Sequence, residues 1–272
     1  MANIELKYRK IGMKNYKQSE RDHYNSRYTK NGPMESEKSK SSDIVNENSI
    51  KYFYKIITEA QLEMDQGRIL DYGCGAGEKS VKALHNKWNL NGIDISEKSI
   101  AYAKEKYGSL PNVSFDVMDC EHTIFPDNTF DIVFNFGTFS SINIDKAIPE
   151  IIRILKPDGF LICIETLGHN PIFNFKRKLS VKRGKRTKWA SAHIMKMNDW
   201  QQIQKRFTHS KIRHFNILSI LFAPVMQVLP SKISSQMLDL IWSVDNQLIT
   251  RWGLSRYAFK TVAYFQGLKF NA

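Results

Sequence analysis

The sequence predicts an α/β protein: a doubly wound sheet with a helical N-terminal cap and helical insertions towards its C-terminus. Three observations predict it. Asp71-Tyr72-Gly73-Cys74-Gly75-Ala76-Gly77 follows directly on Arg68-Ile69-Leu70. An apolar run ending in a carboxylate reads as a buried strand, and three glycines at alternate positions let the backbone turn sharply and approach a ligand closely. Short apolar runs with polar residues at their ends then recur between helical patterns, which is the rhythm of a doubly wound sheet. Finally, 272 residues, of which 42% are hydrophobic and 25% charged, suffice for one substantial core with additions.

Residues 1–45 form the N-terminal arm or cap. Their polar composition and weak periodicity suit an arm or a short helix, and His23-Tyr24-Asn25-Ser26-Arg27-Tyr28 gives it aromatic character. Residues 46–272 form the main domain. Val45 to Leu62 carries Ile50, Phe53, Tyr54 and Ile57 at helical spacing and leads into the first strand. Asn91-Gly92-Ile93-Asp94-Ile95-Ser96 reads as the second strand, Val113 to Cys120 as the third and Phe130 to Gly137 as the fourth. Ile151 to Gly159 closes a helix and turns into a fifth strand, Phe160 to Glu165. Asp131, at the start of a buried strand, is read as a structural hydrogen-bonding group. A basic insertion spans about residues 167–205 and an apolar helical one about 218–254. Between and after them, Ser210 to Ile217 and the alternating Tyr257 to Phe265 read as the last two strands.

The spacing of the loop separates two kinds of nucleotide cofactor. A dinucleotide fingerprint requires a third glycine where Glu78 stands, and a carboxylate there repels a pyrophosphate at a helix N-terminus. Acidic residues on both sides of the loop suit a cationic ligand without phosphate, such as S-adenosylmethionine. Asp94, seventeen residues beyond Gly77, could grip a ribose diol with both carboxylate oxygens.

In this ordered set of elements, residues 65–166 resemble the core of the class I S-adenosylmethionine-dependent methyltransferases. The resemblance implies a Rossmann-like seven-stranded sheet and S-adenosyl-L-methionine as cofactor. It implies that Asp71, Gly73 and Gly75 line the methionine and sulfonium part, with Tyr72, Cys74 and Gly77 completing the loop. Asp94 followed by Ile95 would hold the ribose, Met118, Asp119 and Cys120 would face the adenine, and Asn135 and Phe136 would stand between cofactor and substrate. Tyr24 and Tyr28 would belong to a cap, where a ring face could meet the sulfonium as a cation–π pair; packing of the arm onto the domain is the alternative. The sequence departs from the family's commonest pattern at Asp158-Gly159, where Gly-Gly is usual, and at Ser140-Ser141, where related small-molecule enzymes often carry a His pair. The second departure removes a candidate base.

Methyl transfer is an in-line displacement, so the enzyme mainly positions an attacking atom and excludes water. For a base, or for orienting the substrate, the candidates are His169, in Glu165-Thr166-Leu167-Gly168-His169-Asn170-Pro171, then His193, with Glu165 beside them. Each histidine could equally be a hydrogen-bonded structural residue. Between Pro171 and Phe215 stand thirteen Lys or Arg and one acid, Asp199, so this stretch holds +12 of the chain's formal +13. Such a block points to an anionic partner: a phosphate-bearing substrate, which could be small or lipid-linked, the lipid headgroups of an anionic membrane surface, or nucleic acid. The apolar run from Ile217 to Leu229, broken by Pro224, is too short to span a bilayer; with the apolar residues that continue from Leu238 to Trp252 it could lie in the membrane surface, or pack as a lid or dimer face. The acceptor would be methylated on oxygen or nitrogen.

Two rival functions are an RNA methyltransferase and a non-catalytic docking module on the same fold. Asn135-Phe136-Gly137-Thr138 lacks the Pro-Pro-Tyr of base-methylating enzymes, so charge alone supports a nucleic-acid target. A complete cofactor loop argues against the second. Cys74, Cys120 and Cys163 fall in the expected core, and an odd number with no signal-like N-terminus suggests buried thiols in a cytoplasmic protein, one that could attach peripherally to the inner membrane surface. No Cys/His spacing resembles a metal site.

Overall fold

The computed structural model describes residues 16–29, 32–33, 40–85, 87–226 and 228–269; the first fifteen residues of the arm lie outside this set. Seven strands form one sheet: β1 (Gly67–Tyr72), β2 (Trp88–Asp94), β3 (Val113–Val117), β4 (Phe130–Phe136), β5 (Leu155–Thr166), β6 (Phe207–Phe215) and β7 (Lys260–Leu268). Their order across the sheet is β3-β2-β1-β4-β5-β7-β6. The pairs from β3 to β5 are parallel, whereas β7 runs antiparallel to both β5 and β6.

Both faces of the central strands are buried, and the alternation of side chains divides them between two layers. Leu70, Val133, Leu161 and Cys163 pack on one face with Ala147 and Ile151 of α5 (Ile144–Ile154) and with Trp200 and Ile203 of α8 (Met197–Gln204). Ile69, Ile132, Phe134, Ile162 and Ile164 pack on the other with Phe53, Ile56 and Ile57 of α2 (Lys40–Leu62). The helical spacing read in residues 45–62 thus corresponds to the face of α2 that covers the sheet.

Five strands differ at their boundaries from the sequence expectation. β2 spans Trp88–Asp94 rather than Asn91–Ser96, because Trp88, Asn89 and Leu90 already pair with β1. β7 spans Lys260–Leu268 rather than Tyr257–Phe265, because residues 254–257 form a 3-10 turn and the ladder with β5 and β6 begins at Lys260. β3 stops at Val117, so Met118, Asp119 and Cys120 lie in the loop beyond it. β5 begins at Leu155, because Leu155 pairs with Phe130 while Phe160 pairs with Ile132, and residues 156–159 form an irregularity in the ladder. β6 begins at Phe207 rather than near Ser210, and Asn216, with φ of 67°, ends it before Ile217. As an edge strand, β6 exposes polar residues such as Thr208 and His209, which hide its start from hydrophobic patterning.

The N-terminal segment supplies α1 (Tyr16–Asn25), and α3 (Glu78–Lys82) and α4 (Glu97–Tyr107) follow β1 and β2. The stretch between β5 and β6 contains α6 (Pro171–Lys182) and α7 (Lys188–Ala192) as well as α8. The stretch between β6 and β7 contains α9 (Ser219–Met226) and α10 (Ser231–Thr250). The strand order reverses between β1 and β4, and in open α/β sheets ligands bind at the carboxyl ends of strands beside such a switch point.

Candidate active site

A cavity of about 790 Å³ opens at that switch point, within the range of roughly 300–1,000 Å³ common for small-molecule sites. The loop after β1 forms its floor. Gly73, Gly75 and Gly77 all have positive φ, 87°, 53° and 77°, a conformation that favours glycine. A Cβ on Gly73 would meet Thr138 at 2.3 Å, so this glycine also lets two loops pass each other. A Cβ on Gly75 would have nothing within 4 Å, which leaves backbone open to the cavity. The Gly73 and Cys74 amides both donate to the Ile93 carbonyl at 2.9 Å, fixing the loop to the end of β2.

Two carboxylates stand on this floor. Asp71 is buried at the end of β1; its Oδ2 accepts from the Ser80 hydroxyl at 2.6 Å, while the buried Oδ1 has no partner. Burial pushes its pKa up to about 7, against the opposing effects of Ser80 and Lys79. Asp94 accepts from the Gly75 amide on Oδ2 and from the Ser96 amide on Oδ1, each at 2.9 Å. Burial raises its pKa despite these bonds.

The cap closes the cavity from above. Tyr16 donates to Glu121, Lys17 pairs with Asp119, and Lys17 lies 3.0 Å from the second Glu121 oxygen. The Tyr24 and Ser141 hydroxyls are 2.9 Å apart. Asn25 donates to Glu97 at 2.8 Å and accepts from the Ser96 hydroxyl at 2.7 Å. The serines that stand where a His pair is usual therefore hold other groups: Ser141 meets Tyr24, and Ser140 accepts from Arg186 at 3.0 Å.

The structure brings Tyr24, Tyr28, Asp71, Gly73, Cys74, Gly75, Asp94, Ile95, Asp119, Cys120 and Phe136 together in the wall of this cavity. Asp119 is already engaged by Lys17 there. Four other expected cofactor residues lie outside the wall. Tyr72 points into the core below the sheet and donates to the Cys120 carbonyl, because strand alternation turns it away from Asp71. Gly77 precedes α3 and packs where a Cβ would meet Phe115 at 2.7 Å. Met118 packs against the core, and Asn135 is buried with its amide donating to Glu165 at 2.6 Å.

The three expected catalytic residues are also elsewhere. Glu165 is buried beneath the floor, where it accepts from Asn135 and, at 2.7 Å, from the Phe139 amide; burial raises its pKa. It fixes the turn after β4 that carries Gly137 and Thr138. His169 accepts on Nε2 from the Met197 amide at 3.1 Å and so anchors the first turn of α8. His193 lies 2.9 Å through Nδ1 from the Trp189 carbonyl and stacks on Trp189, which stacks in turn on Tyr16, with ring centroids 3.7 Å apart in both pairs. The histidine in the cavity wall is His23 of α1. Burial and the charges of Arg27 and Arg186 lower its pKa, which favours the neutral form. In the sequence His23 stands out only as a neighbour of Tyr24, since nothing in the segment shows which side of a short polar helix faces the sheet.

The comparisons with known proteins agree with this architecture. A methyltransferase-domain family matches residues 70–163. The matched residues run from the end of β1 into β5 and include the cavity floor. It is 36% identical over 103 residues to demethylmenaquinone methyltransferase of Staphylococcus aureus (strain MRSA252), covering 36% of this chain and 43% of that protein. The chain thus spans less than half the length of the curated relatives it matches. Among solved structures, geranyl diphosphate C-methyltransferase of Streptomyces coelicolor A3(2), in complex with Mg2+, geranyl diphosphate and S-adenosyl-L-homocysteine, is similar over 92% of this chain and 98% of its own, with a TM-score of 0.60 and 14% identity. The MccD protein is similar over 79% of this chain and 96% of its own, with a TM-score of 0.54 and 19% identity. At these identities the likeness is one of fold.

Class I methyltransferases use S-adenosylmethionine, and the residues of the cavity fit that molecule. The unpartnered Oδ1 of Asp71 can accept from a cationic amine, the open backbone at Gly75 admits close approach, and Asp94 has acceptor capacity left for a diol.

Proposed function

We propose that the protein transfers a methyl group from S-adenosylmethionine to an oxygen or nitrogen of a small or lipid-linked, anionic acceptor. One observation carries this reading: the floor loop, both strand-end acids and the capping tyrosines all open into a single covered cavity. When bound, the cofactor supplies an electrophilic methyl group on a sulfonium. The protein's own part is to bind and orient. Asp71 would hold the amine and Asp94 the ribose, with the open backbone of Gly73–Gly75 between them. Tyr24 and Tyr28, on the cap side of the cavity, offer ring faces to a cation and help exclude water. His23, kept neutral, is the group in the wall that can take a proton from a hydroxyl acceptor. Glu165 acts through Asn135 and the Phe139 amide as a positioning residue.

Calorimetry with S-adenosylhomocysteine tests the reading. The wild-type protein is expected to bind it in the micromolar to millimolar range, and Asp94→Ala is expected to weaken binding about tenfold or more, for the loss of charge-assisted hydrogen bonds. Absence of binding by a folded wild-type protein would sink the proposal.

Peripheral attachment to an anionic membrane is a second, compatible reading, favoured by side chains that α6 leaves outside the core. Ile172, Phe175 and Leu179 are exposed at helical spacing, beside Lys176, Lys178 and Lys182. Among the described residues no helix is long and apolar enough to cross a membrane.

A further inference from the structure

Beside the main cavity lies a second hollow of about 220 Å³, room for about seven water volumes. Its lining holds four cationic side chains, Arg27, Arg177, Lys185 and Arg186, against one carboxylate, Glu20. The two hollows adjoin: Glu20, His23, Tyr24, Arg27, Gly137 and Lys185 line both.

Neither of the two inner arginines is in ion-pair contact with an acid. Arg177 is buried and donates to the Asn174 side chain at 2.7 Å and the Leu167 carbonyl at 3.1 Å. Arg186 donates to Ser140 at 3.0 Å and to the Ala190 carbonyl at 2.9 Å, and its buried Nε has no partner. No carboxylate of the described residues lies within 4.0 Å of either guanidinium. Glu20 accepts instead from the Thr187 hydroxyl, and burial raises its pKa. Burial and the charge of Arg186 together lower the pKa of Arg177 to about 10. Arg177 is buried with no carboxylate in contact, and half-buried Arg186, which feels Glu165 and Glu20 only through longer-range attraction, stands beside it with a buried Nε left over; a cavity wall of this kind suits an anion that enters it.

We propose that this hollow binds the phosphoryl group of a phosphorylated acceptor, whose methylatable end reaches past Tyr24 and Gly137 into the main cavity. Planar guanidinium forks match phosphate oxygens, and four cations against one acid favour a dianion over a single carboxylate. His23 lies on the shared wall, between the anchored group and the place of reaction. The position of the acceptor's other end rests on the methyl-transfer reading; the anion site does not.

Calorimetry on the full-length protein at physiological ionic strength tests the site with inorganic pyrophosphate, a soluble alkyl monophosphate and an alkyl carboxylate of equal chain length. Both phosphates are expected to bind the wild type, with affinity falling about tenfold or more in Arg186→Gln, the loss of a charge-assisted contact. Arg27→Gln, at the exposed rim, serves as a second variant if Arg186→Gln melts early or fails to bind S-adenosylhomocysteine. The doubly substituted Lys205→Gln/Lys211→Gln, on the outer surface, is expected to bind phosphate as the wild type does. The site is disproved if the wild type binds neither phosphate, if both arginine variants bind as well as it does, or if the carboxylate binds equally well. Competition by vesicles of phosphatidic acid in phosphatidylcholine, lost in Arg186→Gln, would uphold the site and identify a lipid headgroup; phosphate binding without such competition would uphold it for a soluble ester. Failure of the wild type to bind S-adenosylhomocysteine while binding phosphate would remove the methyl-transfer reading and leave the anion site standing.

Discussion

Asp71 holds a carboxyl whose pKa burial has raised from 3.8 to about 7, and one of its oxygens has no partner. Such a group keeps a proton in the folded state that the unfolded chain has already lost. Between the two values the native state binds more protons, so its stability falls as pH rises through that window and levels off above about 7. Asp71→Asn should make the slope between pH 5 and 8 shallower without removing it, because burial raises Glu165 in the same direction. A cationic amine placed against Asp71 favours its charged form. Binding of S-adenosylhomocysteine near pH 7 should therefore release part of a proton in the wild type and less in Asp71→Asn. Calorimetry in buffers of different ionisation enthalpy reads this directly, and identical heats in all buffers would exclude the role given to Asp71. The places of Asp71, Asp94, Gly73 and Gly75 in the cavity wall were legible in the sequence because they are set locally: a strand end, a tight turn, a following helix. Glu165 and the two histidines were not, since their partners are set by tertiary contacts. Asn135 lies thirty residues from Glu165 and Met197 twenty-eight from His169.

Among the elements, α1 has the clearest tie to function. It is short and polar, and it is held in place by side chains rather than by a broad apolar face: Lys17 to Asp119 and Glu121, Tyr24 to Ser141, Asn25 to Ser96 and Glu97. An isolated ten-residue helix is marginal in water, so α1 depends on these contacts and on any ligand beneath it. Hydrogen exchange at residues 16–25 should slow when S-adenosylhomocysteine binds. In Lys17→Met without ligand it should quicken about fivefold, corresponding to roughly 1 kcal/mol for a partly exposed ion pair. Exchange in β1 should not change in that variant. A cap whose exchange ignores the ligand would not be the lid over the cofactor. The seven-stranded sheet was readable from apolar runs ending in polar residues, which central strands produce whatever their neighbours. The edge strand β6 was misplaced at both ends, because one face meets solvent and its C-terminal stop is a single left-handed Asn216.

For the whole molecule, charge and apolar surface meet in one region. Phe173 of α6 packs with Val45, Ile220, Met226 and Leu238, so α2, α6, α9 and α10 share a small core of their own. That core accounts for part of the apolar composition read between Ile217 and Trp252, where the sequence could not show which residues face inward. Some residues of that stretch remain outside, Leu240 at 67% and Trp252 at 73% exposure, and on α6 Phe175 is 70% exposed. On α6 the split is clear, with Phe173 and Arg177 turned in and Ile172, Phe175 and Leu179 turned out among lysines. A surface of this kind is expected to hold anionic lipid by shallow insertion of the aromatic and by attraction of the surrounding charge. In flotation, the wild type should rise with vesicles rich in phosphatidylglycerol and stay down with phosphatidylcholine alone. Phe175→Ser/Leu179→Ser, which alters exposed side chains and leaves Phe173 in the core, should lose most of the flotation and keep its melting temperature. Salt at about 1 M shortens the screening length to roughly 3 Å and should also release the wild type. If the double variant floats as well as the wild type, the apolar side chains of α6 are not inserted, and the basic surface alone would have to explain any attachment.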